Sequence, residues 1–155
     1  MLYFDHASTS FQKPQQVLDR IQEYLTQFGV SPGRGSYDLA HQAEKCVESA
    51  RIKLAKLLNI NQPSHIAFTM NATHGLNIVI KGFLQPNDHV LICSYAHNAS
   101  LRPLEKMKLD HQIDYDVVPI DLNGKMDMDF LRKKLRDTTS LFIATSASNV
   151  IGVKA

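Results

Sequence analysis

From about residue 61 to residue 145 the chain alternates between short β-type runs and helical runs. This alternation restricts the fold more than any other feature of the sequence. His65-Ile66-Ala67-Phe68-Thr69 has the composition of a strand. Met70-Asn71-Ala72-Thr73 then leads into a helical pattern with Leu76, Val79, Ile80 and Phe83 on one side. After the turn at Gln85-Pro86-Asn87-Asp88, His89-Val90-Leu91-Ile92-Cys93 reads as a strand buried on both faces. A helix over 99–109 follows, then a strand over 114–120 closed by the Asn123-Gly124 turn. A polar helix over 127–136 and a buried strand over 140–145 complete the series. Strands that alternate with helices pack as a mostly parallel sheet with flanking helices, the α/β class, joined by right-handed crossovers. Such sheets bind ligands beyond the carboxyl ends of their strands. The segments that matter most for function are therefore 70–74, 94–98 and 145–149.

The first sixty residues are helical. Pro14 opens a helix in which Val17, Ile21, Tyr24, Leu25 and Phe28 form one apolar stripe, and Gly29 ends it. Ser31-Pro32-Gly33-Arg34-Gly35-Ser36 is rich in turn formers. The next helix spans about 37–58, with Leu39, Ala43, Cys46, Val47, Ala50, Leu54, Leu57 and Leu58 as its expected buried face. Asn61-Gln62-Pro63 breaks it. With 155 residues the chain has the size of one ordinary domain.

Composition excludes several function classes. A net charge of +2 gives no electrostatic reason to expect a nucleic-acid or membrane-surface partner. No apolar run approaches the roughly 20 residues of a membrane helix. The start of the chain lacks the basic and apolar regions of a signal peptide, so the cytoplasm is the expected location. Cys46 and Cys93 sit among apolar neighbours and read as buried small hydrophobes. No Cys or His spacing suggests a metal site. The histidines at 6, 41, 65, 89 and 111 read mostly as surface residues.

Each strand end carries one candidate. Asn71 or Thr73 can cap the helix that follows, and the exposed N–H groups of its first turn, with a threonine hydroxyl, can hold an anion. A capped helix start without a ligand is the alternative. His97 lies where an imidazole can stack on a flat ring or move a proton near neutral pH; the alternative is a surface histidine in a βα loop. Asn149 can both donate and accept hydrogen bonds, or be an ordinary turn residue before Gly152. Together these residues describe a site for a phosphorylated, flat ligand.

Five ordered segments carry a resemblance to a known family. Residues 3–14, Tyr-Phe-Asp-His-Ala-Ser-Thr-Ser-Phe-Gln-Lys-Pro, resemble the opening of class V aminotransferase-type enzymes, above all the cysteine desulfurase group. Residues 32–36, 68–77, 97–103 and 146–152 resemble that group's next loop, its cofactor-phosphate motif and two later motifs, in the family's order. The resemblance covers essentially the whole chain. It implies the N-terminal part of the large domain of fold type I transferases, with a segment over 1–13 lining the substrate side and residues 14–155 belonging to the cofactor-binding domain. It implies pyridoxal 5′-phosphate (PLP) as cofactor. Ala72 and Thr73 match the phosphate-binding pair, and His97 matches the histidine that stacks on the pyridine ring and assists proton transfer. Asn149 matches the asparagine near the phenolic oxygen and the substrate. Ala7 and Ser8 fall in the substrate-lining segment, and 33–36 in a loop near the dimer's active site. The family usually has Asn at the position of His6, Ala at Ser8 and an acidic residue at His74.

The implied activity is PLP-dependent, with an amino-acid substrate and a homodimeric parent: conversion of L-cysteine to L-alanine with an enzyme persulfide. Another amino-acid substrate, or a non-catalytic interaction module, stays open. The family's PLP-bonding lysine, the aspartate facing the pyridine nitrogen, the catalytic cysteine and the carboxylate-binding arginine fall beyond the matching end. The 155 residues alone are therefore expected to be inactive. In the related fold the run at 65–69 is separated from the other three strands by strands not in this sequence. The three at 89–93, 114–120 and 140–145 can still pair. Open edges of that kind favour association, so the chain alone is expected to dimerise non-natively, aggregate or rearrange.

Overall fold

His89 to Cys93 are all buried, and the rest of the second half is arranged around them. The computed structural model describes residues 2–110 and 112–154; His111, read above as a surface histidine, lies outside the described residues. The chain forms two compact units, residues 1–68 and 69–155, each described here by itself.

In the first unit, α1 covers Gln15–Gln27 and α2 covers Asp38–Leu57. Both match the apolar spacing, but the apolar faces are less covered than the pattern predicts. No residue of α1 is buried, and in α2 only Ala40, Ala43 and Ala55 are. Leu39, Leu57 and Leu58 are exposed, and Cys46 is only half-buried. An apolar stripe marks a face able to pack, but burial requires a surface that covers it, and these faces stay largely uncovered among the described residues. α2 ends before the expected break. Asn59 adopts the left-handed conformation (φ 54°), Ile60 N–H donates to Ala55 O at 2.8 Å, and Asn59 N–H donates to Lys56 O at 3.4 Å. This pair of bonds is the Schellman cap that closes orphan helix carbonyls.

The run at 65–69 is not a strand. Pro63–His65 forms a 3-10 turn, and the residues after it have no sheet partner among the described residues. Apolar composition favours an extended backbone, and Ile66 is indeed extended, but a strand also needs a neighbour to complete its ladder. Arg51 instead holds the segment against α2. Its Nε donates to Ile66 O at 3.0 Å, and its guanidinium lies 5.5 Å from the Phe68 ring centroid.

The second unit runs α3 (Ala72–Phe83), β1 (His89–Cys93), α4 (Asn98–Leu109), β2 (Asp114–Val118), α5 (Met128–Lys134) and β3 (Thr139–Ile143). The strands form one sheet in the order β2-β1-β3, parallel throughout, with a one-residue irregularity opposite His89 and Val90. β1 is central and therefore wholly buried. β3 is an edge strand and alternates between half-buried and exposed, with Phe142 open to solvent, where the sequence predicts a buried strand.

Ile80 and Leu84 from α3 and its end, Leu104 from α4, and Val90 and Ile92 from β1 pack as one core with Ile113. Each such side chain contributes about 1.5–3 kcal/mol by leaving water. α5 lies on the other face, where Lys134 reaches Asp116 at 3.1 Å. The chain thus leaves β1 towards β2 over one face and returns past β1 to β3 over the other. A reversal of this kind opens a crevice at the carboxyl ends of the two strands where it occurs. Here those strands are β1 and β3.

One histidine departs from the surface expectation. His89 is fully buried on the face opposite the apolar core. Its Nδ1 lies 2.8 Å from Thr139 Oγ1 and its Nε2 3.3 Å from Asp116 Oδ2. A carboxylate only accepts, so Nε2 carries the proton and the Thr139 hydroxyl donates to Nδ1 in the neutral ring. Asp116 also takes Lys134 and Arg136, and Asp114 takes Lys108 and Arg136. One buried imidazole thereby joins all three strands.

Candidate functional site

β1 and β3 run parallel and end at one edge of the sheet, whereas 70–74 follows no strand and reaches the site as the start of α3. α3 and α4 both begin at this edge and pack side by side.

At the first helix start, Asn71 is the cap. Its side-chain oxygen accepts from His74 N–H at 2.8 Å, and Gly75 N–H donates to Asn71 O at 3.1 Å. The first bond satisfies one of the four donors that a helix start leaves open, and the second is the helix's own first turn. The N–H groups of Ala72 and Thr73 have no acceptor among the described residues, and Asn71 as the cap leaves the Thr73 hydroxyl uncommitted. Gly75 permits the approach of Thr69: a Cβ at Gly75 would sit 3.2 Å from Thr69 Oγ1, whose hydroxyl donates to Asn71 O at 3.0 Å. The sequence thus builds a short, braced turn whose two amides have no acceptor among the described residues.

At the second helix start, His97 is the cap of α4. Ala99 N–H donates to His97 Nδ1 at 3.0 Å. An acceptor role for Nδ1 leaves the neutral ring's proton on Nε2, and the ring itself is exposed. The loop that carries it is tied down on both sides. Ser94 Oγ accepts from Ile120 N–H at 3.0 Å, and Tyr95 OH donates to Asp121 O at 2.7 Å.

Thr73 and His97 line one hollow of about 370 Å³ between α3 and α4, together with Asn77, Lys81, Asn98, Ala99, Arg102, Pro103 and Lys106. No carboxylate lines it. Three cationic side chains, two helix starts and the open amide of Thr73 make it a place where an anion is favoured. The sequence reading missed the two rows of side chains that form its walls. Thr73, Asn77 and Lys81 recur every four residues along α3, and Asn98, Arg102 and Lys106 do so along α4. That spacing puts each row on one helix face and was a readable signal.

Asn149 is exposed and does not line this hollow. It follows Ser148 in the loop after β3, where Ala147 and Lys154 make an antiparallel bridge. Ala72 is exposed at the α3 start. Ala7 and Ser8 belong to the first unit, in an exposed turn closed by Ser8 N–H to Asp5 O (3.1 Å) and by Tyr3 OH, which donates to Asp5 O and Thr9 O. A second hollow of the first unit, about 800 Å³, lies along α2 beside Pro32 and Gly33. Among the described residues no group of three or more His, Cys, Asp or Glu is placed to hold a metal, and no helix is long and apolar enough to cross a membrane.

Comparison with known proteins agrees with this arrangement. A cysteine desulfurase of Wigglesworthia glossinidia brevipalpis is 30% identical over 156 residues, covering 98% of this chain and 38% of that protein. A probable cysteine desulfurase of Pseudomonas aeruginosa is also 30% identical, with the same coverage. The chain therefore spans about two-fifths of the length of these curated relatives. Among solved structures, the cysteine desulfurase CsdA of Escherichia coli superposes with a TM-score of 0.79 at 25% identity, over 98% of this chain and 39% of that one. A cysteine desulfurase of Thermococcus onnurineus shares the fold with a TM-score of 0.84 at 24% identity, over 96% of this chain and 37% of that one. The family profile "Aminotransferase class-V" matches residues 2–155. The fold is shared with solved cysteine desulfurases, and the chain belongs to the class V aminotransferase family.

Proposed function

We propose that this chain forms the phosphate-binding and ring-facing part of a PLP-dependent cysteine desulfurase. The observation that carries the reading is that Thr73, whose N–H has no acceptor among the described residues, lines one hollow with His97, next in the chain to the equally uncommitted N–H of Ala72. A phosphate dianion needs several converging donors and a favourable field. The α3 start supplies two N–H groups and a hydroxyl, and Lys81, Arg102 and Lys106 contribute positive charge along the same hollow. The residues present fit the group.

PLP, when bound, supplies an electron sink for carbanion chemistry on an amino acid. The protein's share is to hold and orient it. Ala72 and Thr73 bind the phosphate. His97, braced by its own cap bond, presents an exposed ring to the face of the cofactor. Its Nε2 can hold or pass a proton, while Nδ1 stays engaged with Ala99. Asn149 offers an amide donor to the phenolic oxygen and to the substrate, and Ala7 and Ser8 contribute to the substrate side. Residues 1–13 and 14–155 then act as substrate-lining segment and cofactor domain of a homodimeric, cytoplasmic enzyme that draws sulfur from L-cysteine.

The test is a titration of the chain with PLP and with pyridoxal, which lacks the phosphate, followed by absorbance. PLP binds more tightly than pyridoxal. Thr73→Val weakens PLP by about tenfold, the worth of one charge-assisted hydrogen bond, and leaves pyridoxal unchanged. Equal affinities for both ligands, or a Thr73→Val variant that binds PLP as tightly as the parent, contradict the assignment. The reaction itself is read as alanine formed from L-cysteine by a polypeptide carrying this sequence joined to the family's C-terminal part.

A further inference from the structure

Thr145 bonds the segment that carries Asn149 to the loop that carries His97. Thr145 N–H donates to Cys93 Sγ at 3.1 Å, and Thr145 Oγ1 donates to Tyr95 O at 3.2 Å. Cys93 is the last residue of β1, and Tyr95 stands two residues before His97. The far end of the segment is a closed loop. Ser148 N–H donates to Val153 O at 2.8 Å, and Gly152 N–H donates to Ser148 O at 3.0 Å. The buried Ser148 Oγ accepts from Val150 and Ile151 N–H at 3.3 Å each. Gly152 takes the left-handed backbone (φ 68°) that this loop needs. The loop is thus internally braced; Thr145 ties its start to the β1 end, and Val153 and Lys154 at its far end lie against Gly124.

We propose that Thr145 is a positioning residue, which sets the Asn149 loop against the His97 loop so that both act on one ligand. The inference rests on the PLP reading for what the ligand is, but the attachment itself does not. Thr145 does not line the hollow. It acts through two bonds to the end of β1. A valine has nearly the same shape and keeps the backbone bond to Cys93, but it cannot donate to Tyr95 O. A serine keeps both.

The experiment compares the full chain with its Thr145→Val, Thr145→Ser and Cys93→Ala variants by amide hydrogen exchange and by PLP-induced chemical-shift changes. In Thr145→Val the amides of Thr145, Ser148 and Gly152 exchange about fivefold faster, the expected loss for one hydrogen bond. The PLP-induced change at Asn149 shrinks, and the changes at Ala72, Thr73 and His97 persist. Thr145→Ser restores both readouts. Cys93→Ala, which removes the other attachment, reproduces the Thr145→Val pattern, and it decides the matter if the valine variant does not fold. Slow exchange in β1 marks a variant as folded. Unchanged exchange at Thr145, Ser148 and Gly152 and an unchanged Asn149 response in folded variants overturn the proposal. If PLP changes no shift in the parent chain, the cofactor reading fails instead, and the exchange comparison still decides the attachment.

Discussion

At the scale of single residues, the chain separates its polar duties by face and by edge. Asn71 and His97 cap the two helices that open on the candidate site, while Asp114, Asp116 and His89 gather at the opposite end of the same strands. The second group has a measurable consequence. The hydrogen bond from Lys108, against the opposing effect of burial and with further help from Arg136, holds the Asp114 carboxyl down at about 2. For Asp116, burial pushes the carboxyl up, but hydrogen bonds from Lys134, Arg136 and His89 outweigh it, so it too lies below the ordinary range. A carboxylate whose folded value is depressed adds stability above its unfolded value of about 4 and loses it as pH falls through the folded value. Urea unfolding midpoints should therefore fall between about pH 4 and pH 2. Asp114→Asn should be less stable near neutral pH and show a shallower fall over that window. A parent chain whose midpoint does not move there would contradict the ion cluster. His89 illustrates what sequence does not display. A histidine at a strand start looks like an exposed residue in any local window, and its partners stand 27 and 50 residues away in the chain. The alternating Asp114 and Asp116, both on one strand face, were the only sequence trace of a polar cluster.

At the scale of elements, periodicity located the helices and strands because each has its own hydrophobic repeat. The spacing gives α1 to α5 and β1 to β3 within a few residues at each end. It overstates burial, since a stripe shows that a face is apolar and not that anything covers it. The run at 65–69 shows the same limit for a strand, which exists only where a neighbour completes its hydrogen bonds. The site divides in the same way. Asn71 at a helix start was legible because capping is local chemistry, whereas the cap bond of His97 to Ala99 is seen only in the fold. The walls of the hollow come from two helices, and their pairing depends on the tertiary fold. The uncovered stripe of α1 leads to a prediction. Val17, Ile21 and Leu25 are exposed and line an apolar hollow of about 450 Å³ with Tyr24 and Cys46. Exposed apolar patches drive association, and the open β2 and β3 edges add to it. The purified chain should sediment as dimers or larger species. Ile21→Glu with Leu25→Glu should shift it towards monomer without loss of helical circular dichroism. A parent chain that stays monomeric at ~100 μM and melts cooperatively would contradict this expectation.

At the scale of the whole molecule, the class V aminotransferase family supplies the context in which these parts make sense. A central strand buried on both faces fixes the sheet, and α3 and α4 pack together with Thr73 and His97 lining one hollow between them. The central claim is that the α3 start and the His97 loop together receive the phosphate and ring of PLP. A crystal structure of the chain grown with PLP tests this most directly. The account predicts a phosphate within hydrogen-bond distance of the Ala72 and Thr73 N–H groups and a pyridine ring against His97. A phosphate found elsewhere, with those two amides facing water, would contradict it.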